Sequence, residues 1–396
     1  MKILLIHDYA TPSFGAENQV LALRDGLRRR GHDARLFASS ARPAVKREVL
    51  ADYVCFGTAS RLQTIFQAIN PWAFFALHRV LREFRPDVVH VRMFLTQLSP
   101  LILPLLRKIP SIYHVVSYRP ICPMSNKMSP DGRVCRHPAG TVCYHRCLPL
   151  RSFIFQIPEL WLWKRWRKAF DLIVVNSHSL MHELQRQRIE PAQVIWNPVP
   201  MMDSPRRPLS PPPVVAFAGR MDSGKGADLL LKAFSRLLKK IPEARLILAG
   251  DGPDLRELKT LASELGLSKR AVFTGHLLRG DMERLFQAAW VQAVPTRCME
   301  AFGNVAAEAM MRGTAVVASE IGGLSEIVQG GTTGLLVPPG DVDALTAAMA
   351  VFLQDLELAE RMGRAGRAFA LKHFDPEAYL DRIIGLYQTL IKSAAS

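Results

Sequence analysis

A chain of 396 residues is too long for one ordinary core, so two domains are expected. Its composition, 49% hydrophobic and 22% charged, is that of a folded globular protein rather than a disordered one. The net charge of +16 is lopsided: residues 1–200 carry 28 Lys and Arg against 13 Asp and Glu, whereas residues 201–396 carry 23 against 22. A basic first half suits nucleic acid, anionic lipid or a phosphorylated substrate; scattered solvated arginines are the plainer reading.

The opening stretch, MKILLIHDYA, has an apolar run too short for a signal peptide, and Asp8 breaks it. No run of about 18 uncharged apolar residues follows, so no spanning helix is predicted and a cytoplasmic location is expected. KILLIHDY reads as a buried parallel strand. GAENQVLALRDGLRRRGHD follows with helical spacing of Val20, Leu23 and Leu27, and Gly31 suits the helix end. DARLFAS, PDVVHVR, SIYHVVS and DLIVVNS read as further strands separated by helical patterns. Such alternation predicts a doubly wound α/β sheet.

NPVPMMDSPRRPLSPPPVV is too rich in proline to continue a helix or a central strand, so a linker is expected within Asn197–Pro213. A second α/β series follows. VVAFAGR, ARLILAG, AVFTG, VQAVPT and AVVAS read as strands; GADLLLKAFSRLLKKI, DLRELKTLASELG, DMERLFQAA and NVAAEAMMR read as helices. The tail DPEAYLDRIIGLYQTLIKSAAS reads as one amphipathic helix with Asp375 as N-cap. The predicted organisation is therefore a first Rossmann-like domain over 1–200 with a cysteine-bearing insertion at about 119–150, a linker at 201–213, a second Rossmann-like domain over 214–374, and a terminal helix over 375–396. Ligands of such sheets bind beyond the C-terminal ends of the strands, so two of them facing each other would make a cleft.

In the second half, AGRMDSGKG ends a strand near Gly219 and opens a helix near Gly226. Arg220 and Lys225 flank a turn of small residues, which suits a diphosphate or, more plainly, a loop of solvated charges. The glycine spacing and the Ser/Thr of a P-loop are missing. CMEAFGNVAAEAMMRG holds Glu300 and Glu308 on either side of a helix start. Phe302, Gly303 and Asn304 would present unpaired N–H groups at the positive end of that helix, with Gly303 admitting a ligand close to the backbone. Glu308, roughly 7 Å further along, could accept bonds from the adjacent hydroxyls of a ribose. The plain alternative is a helix with Glu300 near its positive end and Glu308 in solvent.

With these residues on the page, the second half resembles the retaining glycosyltransferases of family 4, which have the GT-B fold. The pattern is EAFGNVAAE together with GRMDSGKG, AGDGP and GTAVVASEIGGLSEIVQGGTTGLLVPPGD, in order from Phe217 to Asp341. The resemblance implies two Rossmann-like domains facing across a cleft, a nucleoside-diphosphate sugar as donor, transfer with retained configuration, and no metal required for the chemistry. It implies that Arg220 and Lys225 hold the diphosphate, that Glu308 holds the ribose, and that Glu300, Phe302, Gly303 and Asn304 contact the transferred sugar and nearby phosphate. In the first half, TPSFGAENQ resembles the family's glycine-rich loop, with Gly15 followed by Ala16 instead of a second glycine. PDVVHVR has His90 and Arg92 where relatives often have two histidines. PSIYHVVSYRPICP departs further: Val116 and Ser117 stand where many relatives carry His-Asp. His114 lies on the same strand face as Val116, and could either take over the sugar-facing role or be a buried structural histidine.

Cys122, Cys135, Cys143 and Cys147 fall within 26 residues. Four thiolates suit a structural tetrahedral zinc; reduced thiols, disulfides or an iron–sulfur cluster are the other readings. FIFQIPELWLWKRWRKAF, at residues 153–170, interleaves Trp161, Trp163 and Trp166 with four cations. It reads either as an amphipathic core helix or as a helix lying on the inner membrane surface. No RNA-binding motif is visible, so nucleic acid is not expected as a partner. The reading the sequence favours is a cytoplasmic, peripherally membrane-bound transferase acting on a glycan or lipid-linked acceptor in surface polysaccharide, lipopolysaccharide or glycolipid synthesis. The alternatives are an epimerase or phosphorylase of the same fold, and a catalytically silent scaffold, for which the absent His-Asp argues.

Overall fold

The computed structural model describes residues 1–12, 15–42, 48–202, 206 and 208–395. They form two compact units. The first comprises Met1–Pro130, Arg136–Trp196 and Glu377–Ser396; the second comprises Asp131–Cys135 and Asn197–Pro376. The switch between units thus falls at Trp196–Asn197, where the proline-rich stretch begins. Residues 203–205 and 207 of the expected linker lie outside the described residues.

The first unit is a parallel sheet of seven strands: β1 (Lys2–Ile6), β2 (Asp33–Ser39), β3 (Tyr53–Cys55), β4 (Val88–Val91), β5 (Ser111–Val115), β6 (Leu172–Val175) and β7 (Gln193–Val194). Their order is β3-β2-β1-β4-β5-β6-β7. β1 pairs with β2 on one side and β4 on the other, which makes the gap between β1 and β4 the point where strand order reverses. Ile3 and Leu5 pack with Val20, Leu23 and Leu27 of the helix Gly15–Arg29, the apolar stripe expected from its spacing.

The terminal helix Pro376–Ala395 packs on this first unit, although it follows the second in sequence. Tyr379, Leu380, Ile383 and Tyr387 join the core that holds Ile3 and Leu5. The approach is close: a Cβ on Gly26 would stand 2.7 Å from Leu380 Cδ1. Arg30 adds a surface ion pair to Glu377 at 2.7 Å.

The second unit is a parallel sheet of six strands: β8 (Val214–Ala218), β9 (Arg245–Ala249), β10 (Ala271–Gly275), β11 (Val291–Val294), β12 (Ala315–Ser319) and β13 (Gly334–Val337). Their order is β10-β9-β8-β11-β12-β13, the Rossmann arrangement, with the reversal between β8 and β11. Both faces are covered. β8 sends Val215 and Phe217 into one apolar cluster and Val214 and Ala216 into another. The helices expected from sequence are present at Ala227–Leu237, Leu255–Glu264, Arg279–Phe286 and Asn304–Arg312.

A candidate nucleotide-sugar site on the second unit

Four loops leave the C-terminal ends of β8, β9, β11 and β12, and small residues let them pack backbone to backbone. A Cβ on Gly250, whose φ is +138°, would come 1.8 Å from the carbonyl oxygen of Gly219. One on Gly252 would stand 2.3 Å from that of Met221. These contacts press the AGDGP loop after β9 onto the GRMD loop after β8. On the other side, the Gly224 carbonyl accepts Thr296 Oγ1 at 2.9 Å and the Arg297 amide at 2.8 Å, which ties the loop after β8 to the loop after β11. Asp222 Oδ1 accepts the Lys225 amide at 3.2 Å and so shapes the turn that carries the lysine.

The result is a direct ion pair between Lys225 Nζ and Glu300 Oε1 across the strand-order reversal. Both side chains are largely covered, with 33% and 18% of their surfaces exposed. Burial alone would lower the lysine's pKa, but Glu300, with Cys298 and Asp222 behind it, raises it instead, so the ammonium stays charged. Arg220 lies on the same loop, mostly exposed, with Nε 3.5 Å from Asp222 Oδ2. A guanidinium on that loop is available to an anion.

After Glu300 the chain enters the helix Asn304–Arg312 through Gly303, whose φ is +103°. That backbone favours glycine, and a Cβ there would also stand 2.6 Å from Leu324 Cδ2. The loop is held from below by the pair Gly322 and Gly323. Their absent side chains leave room for the backbone of Glu300 and Phe302, and the Gly323 amide donates to the Glu300 carbonyl at 2.8 Å. Phe302 is buried, edge-on to Phe374 at 5.5 Å, so it anchors the loop. Asn304 Oδ1 accepts from Asn197 Nδ2 at 3.0 Å.

Glu308 lies one turn into the helix, about 6 Å beyond Asn304. Burial raises its pKa, while Arg279 and Arg312 oppose the rise. Arg312 is itself held by Glu283 at 2.6 Å and Gln292 at 2.9 Å. The structure therefore brings Lys225 and Glu300 into contact, places Phe302, Gly303 and Asn304 directly after them, and sets Glu308 apart in a second, arginine-flanked environment. Sequence reasoning missed the supporting residues Asp222, Thr296, Gly322 and Gly323. Their signal was small residues after strand ends, which pattern alone does not distinguish from ordinary turns.

In the first unit, Asp8 accepts the amides of Thr96, Gln97 and Leu98 and the hydroxyl of Thr96, at 2.6–3.0 Å, and so fixes the loop after β4. Gly15 opens the helix Gly15–Arg29; residues 13 and 14 of its loop lie outside the described residues. His114 is fully buried, so the structure places it in the core and not on a ligand-facing surface. Its ring stacks on His90 at 5.5 Å and faces Tyr379 at 6.4 Å. The cause is the returning terminal helix, which covers that face of β5 and lets Tyr387 Oη bond His90 Nδ1 at 2.6 Å. Arg92 is buried beside them, with Nη2 donating to Gln19 Oε1 at 3.0 Å. Burial and then Arg92 hold His7 and His90 neutral, each with a pKa of about 3.

The cysteine-bearing insertion differs from the zinc expectation. Among the described residues no group of three or more His, Cys, Asp or Glu is arranged to hold a metal. None of Cys122, Cys135, Cys143 and Cys147 is in a disulfide. Cys143 lies on the short helix Thr141–Arg146 and Cys147 caps its end, with the Cys147 amide donating to the Cys143 carbonyl at 2.8 Å. Cys135 belongs to the stretch Asp131–Cys135 that groups with the second unit, whereas the other three group with the first.

Comparison with known proteins agrees with this architecture. Residues 15–201 match the profile of Glycosyltransferase Family 4, and residues 203–369 match that of Glycosyl transferases group 1. A GDP-mannose-dependent alpha-(1-6)-phosphatidylinositol monomannoside mannosyltransferase of Mycolicibacterium smegmatis is 37% identical over 168 residues, 41% of this chain and 44% of that protein. A D-inositol 3-phosphate glycosyltransferase of Mycobacterium avium is 38% identical over 185 residues, 45% of this chain and 42% of that protein. Each match thus spans less than half of the curated relative. Among solved structures, sucrose-phosphate synthase from Thermosynechococcus elongatus superposes with a TM-score of 0.76 at 22% identity, over 99% of this chain and 100% of that one. HepE of Anabaena, in complex with UDP and glucose, does so with a TM-score of 0.69 at 19% identity, over 98% and 100%. Likenesses of this depth concern the fold.

Proposed function

We propose, from the premise that this chain belongs to the family 4 type of GT-B glycosyltransferases, that it moves a sugar with retained anomeric configuration from a nucleoside-diphosphate sugar to a glycan or lipid-linked acceptor. The observation that carries the reading is the Lys225–Glu300 pair, held across the strand-order reversal of the second sheet beside the Gly303 entry to a helix. Dinucleotide-type ligands of doubly wound sheets sit at that position. Arg220, Lys225 and the first amides of the helix supply positive charge. Glu300 and Glu308 supply hydrogen-bond acceptors for sugar and ribose hydroxyls.

In this reading the bond between the anomeric carbon and the diphosphate oxygen breaks, an acceptor hydroxyl oxygen bonds that carbon, and the hydroxyl proton passes to the departing diphosphate, on which negative charge grows. Lys225 and Arg220 stabilise that charge, which is usually a large share of catalysis. The Lys225–Glu300 pair keeps the ammonium in position and charged before the donor arrives. Glu308 sits far enough along the helix to meet the nucleoside end of the same ligand. A relative named for GDP-mannose and a fold neighbour solved with UDP and glucose support a nucleotide-sugar donor. The test is calorimetry against a panel of nucleotide sugars, followed by NMR of the transfer product. Binding of one donor with transfer and retained configuration is expected. An inverted product would remove the retaining assignment, and absence of binding across the panel would remove the donor site.

A second reading has one observation in its favour. His114, the candidate for the missing sugar-facing histidine, is buried. A silent scaffold of the same fold would bind nucleotide without transferring or hydrolysing it, so detectable turnover by the purified protein excludes it.

A further inference from the structure

The helix Leu150–Trp166 of the first unit buries an acid and leaves large apolar side chains in solvent. Its buried side contains Glu159, fully enclosed and paired with Arg119 at 2.7 Å, next to Leu160 and Trp163. Its solvent side carries Leu150, Ile154 and Trp161, which are 58%, 51% and 63% exposed. These positions are four and seven residues apart, so they lie on one stripe within about 40° of each other, and Arg165 continues it. A helix that needed only to cover a core would turn such residues inward.

The apolar exposure extends to the neighbours. The helix Gln63–Ala68 packs against Leu150–Trp166, and Arg151 Nη2 donates to the Arg61 carbonyl at 2.9 Å. Leu62 and Ile65 are exposed on or next to that helix, and Trp72 and Phe75 on the helix Pro71–Phe84 that follows. Trp72 is held in place by Phe56 and Phe66, at ring distances of 5.4 and 5.5 Å. The exposed apolar side chains are therefore supported on ordered helices.

Charge selects the occupant. At the end of the stripe, Trp161, Lys164, Arg165, Arg167 and Lys168 line an open recess of about 370 Å³. The only acid of this helix is the buried Glu159, so every charge it shows to solvent is positive. A protein partner or a second copy would need acidic groups to match these cations. A second copy packed through this same face would set cation against cation. An anionic bilayer offers phosphates for the recess and hydrocarbon for the stripe at once.

We propose that this face docks the first unit onto an anionic phospholipid surface, with Leu150, Ile154 and Trp161 entering the interface and the recess taking headgroup phosphate. No helix among the described residues is long and apolar enough to cross a membrane. Docking rests on surface chemistry alone, independently of the donor site.

The test is co-sedimentation of the full chain, without donor, with vesicles of phosphatidylcholine alone and of phosphatidylcholine mixed with phosphatidylglycerol. Binding to the mixed vesicles only, weakened by salt, is expected. The double variant Arg165→Glu, Lys168→Glu should weaken it by about tenfold or more, and Ile154→Asp with Trp161→Asp should abolish it. All four sites are exposed, and an unchanged melting profile of each variant confirms its fold. Equal binding to both vesicle types, no binding, or binding untouched by the variants overturns the proposal. So does a concentration-dependent dimer that Trp161→Asp dissolves. Nucleotide calorimetry on the same samples separates failure here from failure of the donor reading.

Discussion

The ammonium of Lys225 and the carboxylate of Glu300 meet as an ion pair although 75 residues separate them in sequence. One stands on the loop after β8, the other on the loop after β11, and these strands are neighbours only because the sheet reverses its order there. Removing the lysine should therefore disturb the reacting centre more than the fold. Lys225→Ala is expected to lower turnover by about a hundredfold to a thousandfold while the protein still unfolds in one cooperative transition, since the pair lies on loops and outside both apolar clusters of the sheet. Steady-state kinetics beside thermal unfolding checks both. Turnover near that of the unmodified protein would take the lysine out of the mechanism.

Glu308 gives a binding prediction. A carboxylate accepting hydroxyl bonds contributes through a charged hydrogen bond, so Glu308→Gln should weaken nucleotide affinity by about tenfold or more. The pH dependence has a sign. Burial raises the Glu308 pKa, with Arg279 and Arg312 opposing. Its contribution is present above that raised pKa and is lost as pH falls through it, at a higher pH than for an ordinary glutamate. Calorimetric affinities across a pH series should decline on the acid side for the parent protein and stay flatter for the glutamine variant. Parallel curves would show that Glu308 does not touch the ligand.

Gly303 tests the backbone of the site. Alanine there would have to adopt a φ near +103° and fit a Cβ 2.6 Å from Leu324 Cδ2. Strain of this kind costs about 1–3 kcal/mol. Gly303→Ala should therefore lower both stability and donor affinity. The control is Gly140→Ala, where nothing lies within 4 Å of the added Cβ and φ is 174°. Equal chemical-denaturation midpoints for the two variants would show that the Gly303 geometry is not maintained in solution.

The second half of the chain was the more legible half, for physical reasons. Its strands are continuous apolar runs, and its loops need particular residues where backbones touch, so Gly303 and Glu300 stand out. The edge strands β3 and β7, of three and two residues, were not visible, because so short a segment has no period to detect. Spacing alone does not decide the cysteines. Local proximity of Cys122, Cys135, Cys143 and Cys147 says nothing about where the intervening chain goes, and it carries Cys135 to the other unit. The terminal helix was recognisable by its amphipathic pattern, but an apolar stripe does not state which sheet it will cover. That choice buried His114.

The buried histidines make the last prediction. His7 and His90 have pKa values lowered to about 3, and His114 lies well below the ordinary value, all first by burial and then by Arg92. Unfolded, each would titrate near 6.5. Between those limits the unfolded chain binds more protons, so the stability these rings contribute is complete above about pH 6.5 and is lost as pH falls toward about 3. Each ring adds about 1.4 kcal/mol per pH unit to that slope at most. Neither ring nitrogen of His114 has a partner among the described residues, so a phenyl ring of similar shape gives up no hydrogen bond. His114→Phe is expected to keep stability at neutral pH, to make the acid slope shallower by roughly one proton, and to leave sugar transfer unchanged. Thermal unfolding across pH 3–7, read beside turnover, checks all three. Lost turnover in a variant that melts normally would mean that this histidine reaches the sugar after all, and that the terminal helix does not cover it during catalysis.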